Sequence, residues 1–185
     1  MDAPPQQPLR VTPELEVLVG LFYPSLAKLG EFHEVSAAEL PPVPRKLLWH
    51  DEHMTVALES HYGCPLAVCV LRSLLTDTHY ARHVLLSCGY PGKMVQYGIV
   101  RLNLTFLDAE VRREIESERI PLGRALIKYD VLRKVRLLSL WKIVPADVLQ
   151  ALFRLDGKET CYGRTALIYC NEVPAVELLE IVTLV

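Results

Sequence analysis

Tyr80-Ala81-Arg82-His83-Val84-Leu85-Leu86-Ser87-Cys88 is the stretch on which the fold turns. Tyr80, Arg82, Val84, Leu86 and Cys88 fall on one face, and Ala81, His83, Leu85 and Ser87 on the other. That is the two-residue period of a strand. Tyr90-Pro91-Gly92-Lys93 reads as a turn, and Met94 to Phe106 as a long following strand. Two strands joined by so few residues form an antiparallel hairpin.

Working outward, Leu66 to Leu71 is an apolar run suited to a strand covered on both faces. Before it, Asp51 can cap a helix running to about Tyr62, with Met54, Ala57, Leu58 and His61 on one face and Gly63 as its left-handed stop. Thr12-Pro13-Glu14 opens an earlier helix carrying the stripe Leu15, Leu18, Val19 and Phe22, which Pro24 interrupts. Leu40 to Pro44 reads as an extended connector, and Ser36 and Glu39 have the spacing of a capping box.

On the other side, Asp108 caps a helix over 109–118 with Val111 and Ile115 as its apolar stripe. Ile120-Pro121-Leu122-Gly123-Arg124 follows. Pro121 suits the first position of a helix, and the residues before it are held extended. Gly123 admits a close neighbour, and the turn presents a backbone N–H at Leu122. A short helix to Tyr129, a strand over Val135 to Trp141 and a helix over Pro145 to Phe153 come next. Asp156-Gly157-Lys158 is a turn, and Tyr162 to Cys170 and Ala175 to Val185 are the last strands. The sum is an α+β domain with a single, mainly antiparallel sheet of about six strands and helices packed on it.

The 185 residues suffice for one domain with a sizeable core. The expected organisation is an N-terminal tail and packing helix over 1–46, then the main body over 47–185. A net charge of −2 supplies no basic field for nucleic acid or an acidic membrane. No apolar run is long enough for a membrane span, and the Pro/Gln-rich start lacks the basic and apolar regions of a signal peptide. The five cysteines are odd in number and form no C-x-x-C pair, so reduced thiols and a cytoplasmic location are expected.

Two kinds of residue stand out chemically. Arg82 lies mid-strand on an apolar face, where a charge needs a partner. It either faces water, forms a structural salt bridge, or offers its fork to a ligand carboxylate. Arg72, ending the preceding strand, is a weaker candidate of the same kind. Glu180 shares its face with Val176, Leu178, Val182 and Leu184. Such a carboxylate is desolvated, which favours its neutral form, and it is either paired with a cation or placed for a ligand. Glu177, on the opposite face, is the rival acid. His50 with His53 and His79 with His83 lack a third ligand nearby, so no metal is expected. No nucleophile signature, phosphate loop or dinucleotide glycine pattern is present.

In order along the chain, the landmarks Asp51-Glu52-His53-Met54-Thr55, the Tyr80 strand, Pro121-Leu122-Gly123-Arg124, Tyr162-Gly163-Arg164 and Pro174 to Val182 resemble the chorismate lyase superfamily over residues 48–182. The likeness is nearer to the divergent branch that includes mycobacterial 4-hydroxybenzoate synthases than to the enterobacterial ubiquinone-pathway enzyme. The resemblance implies helix-loop flaps over a buried ligand pocket. It also implies a cofactor-free chorismate pyruvate-lyase forming 4-hydroxybenzoate and pyruvate, acting as a monomer. Arg82 and the backbone N–H groups of Met54 and Leu122 would then hold the ring carboxylate, and Glu180 would face the 4-oxygen. One extra residue after Pro174 keeps Glu177 as the alternative acid. Ile99 stands where the enterobacterial pattern has arginine. The alternative function is a non-catalytic sensor domain of the same fold that binds an aromatic carboxylate.

Overall fold

The structure is a computed structural model and describes residues 15–89, 92–131, 133–170 and 172–184. Its elements in chain order are α1 (Leu15–Gly20), β1 (Gly30–Val35), α2 (Pro42–Leu48), α3 (Met54–Tyr62), β2 (Leu66–Leu75), β3 (His79–Cys88) and β4 (Lys93–Asn103). There follow α4 (Ala109–Glu116), α5 (Leu122–Lys128), β5 (Arg133–Pro145), α6 (Asp147–Phe153), β6 (Cys161–Cys170) and β7 (Val173–Thr183). The strands form one seven-stranded sheet in the order β1-β5-β6-β7-β4-β3-β2. Every pairing is antiparallel. Two meanders, β2-β3-β4 and β5-β6-β7, therefore meet at a central β4–β7 seam.

The expected hairpin is present, with Arg82 opposite Val100 and Leu86 opposite Gln96. The expected α+β class holds, with one strand more than anticipated. β1 is a sheet edge of sequence Gly30-Glu31-Phe32-His33-Glu34-Val35, and its polar residues follow from its exposure. The last-strand expectation also holds, though β7 begins earlier, at Val173.

Each sheet face is covered by its own helices. Leu85, Tyr97, Ile99, Leu179 and Ile181 pack with Leu15, Leu18 and Leu149 of α1 and α6. Ile99 is therefore core on the face away from Arg82. On the Arg82 face, Leu47, Leu48, Met54 and Leu58 of α2 and α3 cover Val84, Leu86 and Val182. Val111, Ile115, Leu122 and Leu126 of α4 and α5 cover Val100, Leu178 and Ile168.

Several local expectations are corrected. β2 is an edge strand, not one covered on both faces: Ala67, Cys69 and Leu71 are exposed while Leu66 is buried. Leu40 to Pro44 is not an extended connector, since α2 begins at Pro42. The first turn of a helix makes no use of its N–H groups, so Pro42 and Pro44 are both tolerated there. Ser36 and Glu39 do form a capping box, on a single 3-10 turn. His53, not Asp51, precedes α3, and Gly63 ends it at φ 68°. Pro121 caps α5 rather than opening it; its carbonyl accepts the Ala125 N–H at 3.1 Å. The helix start at Thr12 to Glu14 and the turn residues Tyr90 and Pro91 lie outside the described residues.

The cysteine expectation is corrected as well. Cys64, just after α3, and Cys88, at the end of β3, form a disulfide with Cα atoms 5.9 Å apart. Cys69, Cys161 and Cys170 remain thiols, and burial pushes the Cys161 thiol up to about 12. No described helix is long and apolar enough to cross a membrane.

Candidate functional site

The site lies on the seam. Cross-strand register places Val84, Gly98, Glu180 and Arg164 in one row, and Arg82, Val100, Leu178 and Ala166 in the next. Residues directly opposite one another share a face, so all eight project toward α3 and α5. Gly98 contributes no side chain at the middle of its row, which deepens the floor. The resulting cavity holds about 580 Å³ of empty space including its mouth. It is lined by Arg82, Glu180, Arg164 and Gln96 below, and by His53-Met54-Thr55 and Pro121-Leu122-Gly123 above.

The roof depends on Gly123. A Cβ there would lie 3.0 Å from Thr55 Oγ1 and 3.4 Å from His53 Cβ. A glycine lets the two helix starts come together this closely without displacing the Thr55 side chain. Arg124 of α5 pairs with Glu59 of α3, and Glu59 also accepts the Leu66 N–H at 3.0 Å. Met54 and Leu122 are the first residues of their helices. Their N–H groups are among those a helix leaves without an internal acceptor.

Arg82 is 1% exposed. Its Nη2 donates to the Ile120 carbonyl at 3.3 Å, tying the strand to the turn ahead of Pro121. Its Nε and Nη1 are buried without a hydrogen-bond partner among the described residues. Of the three alternatives for Arg82, exposure to water is thus excluded, and among the described residues no carboxylate lies within ion-pair distance of it. Glu118 is the nearby acid, but it accepts the Tyr80 hydroxyl at 2.8 Å. A hydrogen bond from Ser73 lowers the Glu118 pKa, with burial opposing and Tyr80 and Arg82 assisting. Burial, reinforced by that bond to Glu118, raises the Tyr80 phenol.

Arg164 is also 1% exposed, but its donors are engaged. Nε donates to Glu180 Oε2 at 2.7 Å. Nη1 donates to the carbonyls of His50 at 2.9 Å and Leu48 at 3.3 Å, and Nη2 to that of Glu52 at 3.3 Å. One side chain thereby fastens the loop between α2 and α3, on which the roof hangs, to the middle of the sheet. His50 Nε2 reaches the Leu47 carbonyl at 2.6 Å, and its Nδ1 accepts the Glu52 N–H at 3.2 Å. That is the hydrogen-bonding of a neutral imidazole. Burial and the Arg164 charge lower its pKa accordingly.

Of the residues singled out from sequence, the structure brings Arg82, Met54, Leu122 and Glu180 together around one cavity. Arg72 is exposed on β2 and pairs in register with His83, on the other face. Glu177 is ion-paired with Arg101 on that same far face. Neither lines the cavity. Sequence reasoning missed Arg164 and Gln96 as site residues. Arg164 carried the signal that singled out Arg82, an arginine alternating with apolar residues (Tyr162, Ala166, Ile168) along a strand. Among the described residues no cluster of three or more His, Cys, Asp or Glu could hold a metal ion.

Neither a scan of protein-family models nor a search of curated proteins returns a match to the chain. Among solved structures, PhnF from Mycobacterium smegmatis matches at TM-score 0.54 and 12% identity, covering 70% of this chain and 62% of that one. The chain thus spans less than two thirds of the length of PhnF. The separately solved effector domain of PhnF matches at TM-score 0.53 and 12% identity, covering 71% of this chain and 88% of that one. The C-terminal domain of a histidine utilization repressor from Pseudomonas syringae gives TM-score 0.43 at 11% identity, over 64% and 91% of the two chains. At these identities the likeness is one of fold: an α+β domain built on a single antiparallel sheet.

Proposed function

We propose that this protein binds a small aromatic carboxylate reversibly in the pocket beneath α3 and α5, as a ligand-binding domain and not as a lyase. The observation that carries the reading is Arg82, a buried guanidinium with two donor nitrogens unused in a cavity. A buried guanidinium with no carboxylate in contact is costly, and an entering carboxylate would accept a charge-assisted hydrogen bond from one of these nitrogens, which lie on opposite sides of the group. The Met54 and Leu122 N–H groups stand above the same cavity as further donors. Likeness of fold to the effector domain of PhnF supports binding over catalysis.

The state of Glu180 points the same way. A lyase would ask it to donate a proton to the departing enolpyruvyl group. Here it accepts from Arg164, whose remaining donors are taken by the loop below the roof. That arrangement builds structure, tying the carboxylate through Arg164 to the loop between α2 and α3.

Calorimetry with 4-hydroxybenzoate, alongside chromatography of a chorismate incubation, tests both readings. Binding is expected in the wild type, with Arg82→Ala weakening it by about 2–5 kcal/mol. Arg82→Lys should restore only part, since an ammonium cannot reproduce the fork. No aromatic product is expected from chorismate. Appearance of 4-hydroxybenzoate and pyruvate would establish the lyase instead. Equal binding by folded Arg82→Ala would remove Arg82 as the anchor.

A further inference from the structure

The floor of the pocket holds a second polar group with nothing to bind. Gln96 on β4 is 4% exposed, lines the cavity, and has its Oε1 buried without a hydrogen-bond partner among the described residues. Its cross-strand neighbours are Leu86 on one side and Val182 on the other, neither of which has a polar side chain to offer. A side-chain amide placed among aliphatic residues loses its hydration, and such groups are nearly always partnered in folded proteins.

Gly98 shows where the amide lies. A Cβ at Gly98 would be 3.2 Å from Gln96 Nε2, so the glutamine folds along the strand over the space that glycine leaves open. Its amide thus sits at the level of the Gly98–Glu180 pair, while Arg82 belongs to the next row on the same face, opposite Val100. Two residues of strand, about 7 Å, separate those backbone levels, so the two side chains start from different levels of the same face.

We infer that Gln96 is the specificity-determining residue of the pocket: its Oε1 accepts a hydrogen bond from a hydroxyl or N–H that the ligand carries at the end remote from its carboxylate. This rests on the carboxylate reading of Arg82 and narrows it to a ligand class, a ring with an anion at one end and a donor at the other. Glu180, at the same level, accepts one hydrogen bond, from Arg164 at Oε2, whereas Gln96 Oε1 accepts none among the described residues. A ligand without the donor would bury Oε1 unpartnered. Sites built to bond a donor discriminate strongly against analogues that lack it.

Calorimetry on the full chain with benzoate, 4-hydroxybenzoate and 4-methoxybenzoate tests this. The wild type should prefer 4-hydroxybenzoate to benzoate by about tenfold or more, and should disfavour the methoxy compound, which has an acceptor but no donor. Gln96→Leu should bring 4-hydroxybenzoate and benzoate to near equality while benzoate binding is retained. Gln96→Met, unbranched and close in volume, gives the same readout should the leucine variant fold poorly. An unchanged preference in a folded Gln96 variant would overturn the inference and leave Arg82 as the anchor, as would tight binding of the methoxy compound by the wild type. If the wild type bound none of the three, the Arg82 reading would fail and this inference with it.

Discussion

Arg82 and Arg164 sit in adjacent rows of one sheet face, each 1% exposed, yet they lead opposite lives. Arg164 donates to a carboxylate and to three backbone carbonyls. Arg82 donates to one carbonyl and keeps Nε and Nη1 idle. Burial alone therefore does not separate a structural arginine from one proposed to meet a ligand; how their donors are used does. A saturated guanidinium holds a fold together, and an unsaturated one is a stored demand for an anion.

The largest effect expected is on stability, from the saturated member. Arg164→Leu would strand Glu180 and free the carbonyls of Leu48, His50 and Glu52, costing about 3–5 kcal/mol. In a chain of this size that lowers the melting temperature by roughly 10 °C. Replacing Glu180 by leucine in the same chain should recover much of the loss, because the stranded charge is then gone. A melting temperature unchanged by Arg164→Leu would break the contrast at its stronger end.

A third buried base sharpens the point. His83 lies on the far face, stacked on Phe22 at 4.5 Å, with Tyr23 and Tyr97 hydroxyls each 3.3 Å from Nδ1. Burial, with the Arg72 charge adding to it, lowers its pKa to about 4. Unlike an arginine, a histidine can meet burial by giving up its proton. Its folded pKa lies below its unfolded value near 6.5, so the unfolded chain binds the proton first as pH falls. The stability this provides is whole above about pH 6.5 and is lost progressively toward pH 4, roughly 1–3 kcal/mol in all. Urea midpoints measured across that window should fall, and His83→Phe should flatten the slope. An identical slope in that variant would assign the pH dependence elsewhere.

The smallest effect belongs to the unsaturated member. Arg82→Met loses one hydrogen bond to Ile120 and the attraction to Glu118 but also removes a buried charge with two idle nitrogens, so the ligand-free protein should stay within about 1 kcal/mol of wild type in urea. A loss as large as that of Arg164→Leu would mean that Arg82 too is structural.

Much of this was legible along the chain. The alternation through Tyr80 to Cys88 grouped Arg82 with Tyr80, Val84 and Leu86, and the same period through β7 set Glu180 and Glu177 on opposite faces. The Pro121-Leu122-Gly123 turn was readable because proline and glycine act locally. Elements at the sheet edge were not. β1 has too few apolar residues to show a strand's period, and β2 has so many that it reads as covered on both faces. The α2 helix was hidden by prolines, which terminate helices everywhere except in a first turn.

Periodicity is written in the residues themselves, and with it the α+β class, the hairpin and the opposite faces of Glu180 and Glu177, because side-chain direction in a strand follows from position parity. Which charges meet depends instead on strand pairing and helix packing. Pairing β6 with β7 set Arg164 opposite Glu180, pairing β4 with β7 set Gly98 beside it, and the packing of α3 against Gly123 closed the roof. These contacts join residues distant in the chain, and nothing local distinguishes an arginine that will find a carboxylate across a strand from one that will wait for a ligand.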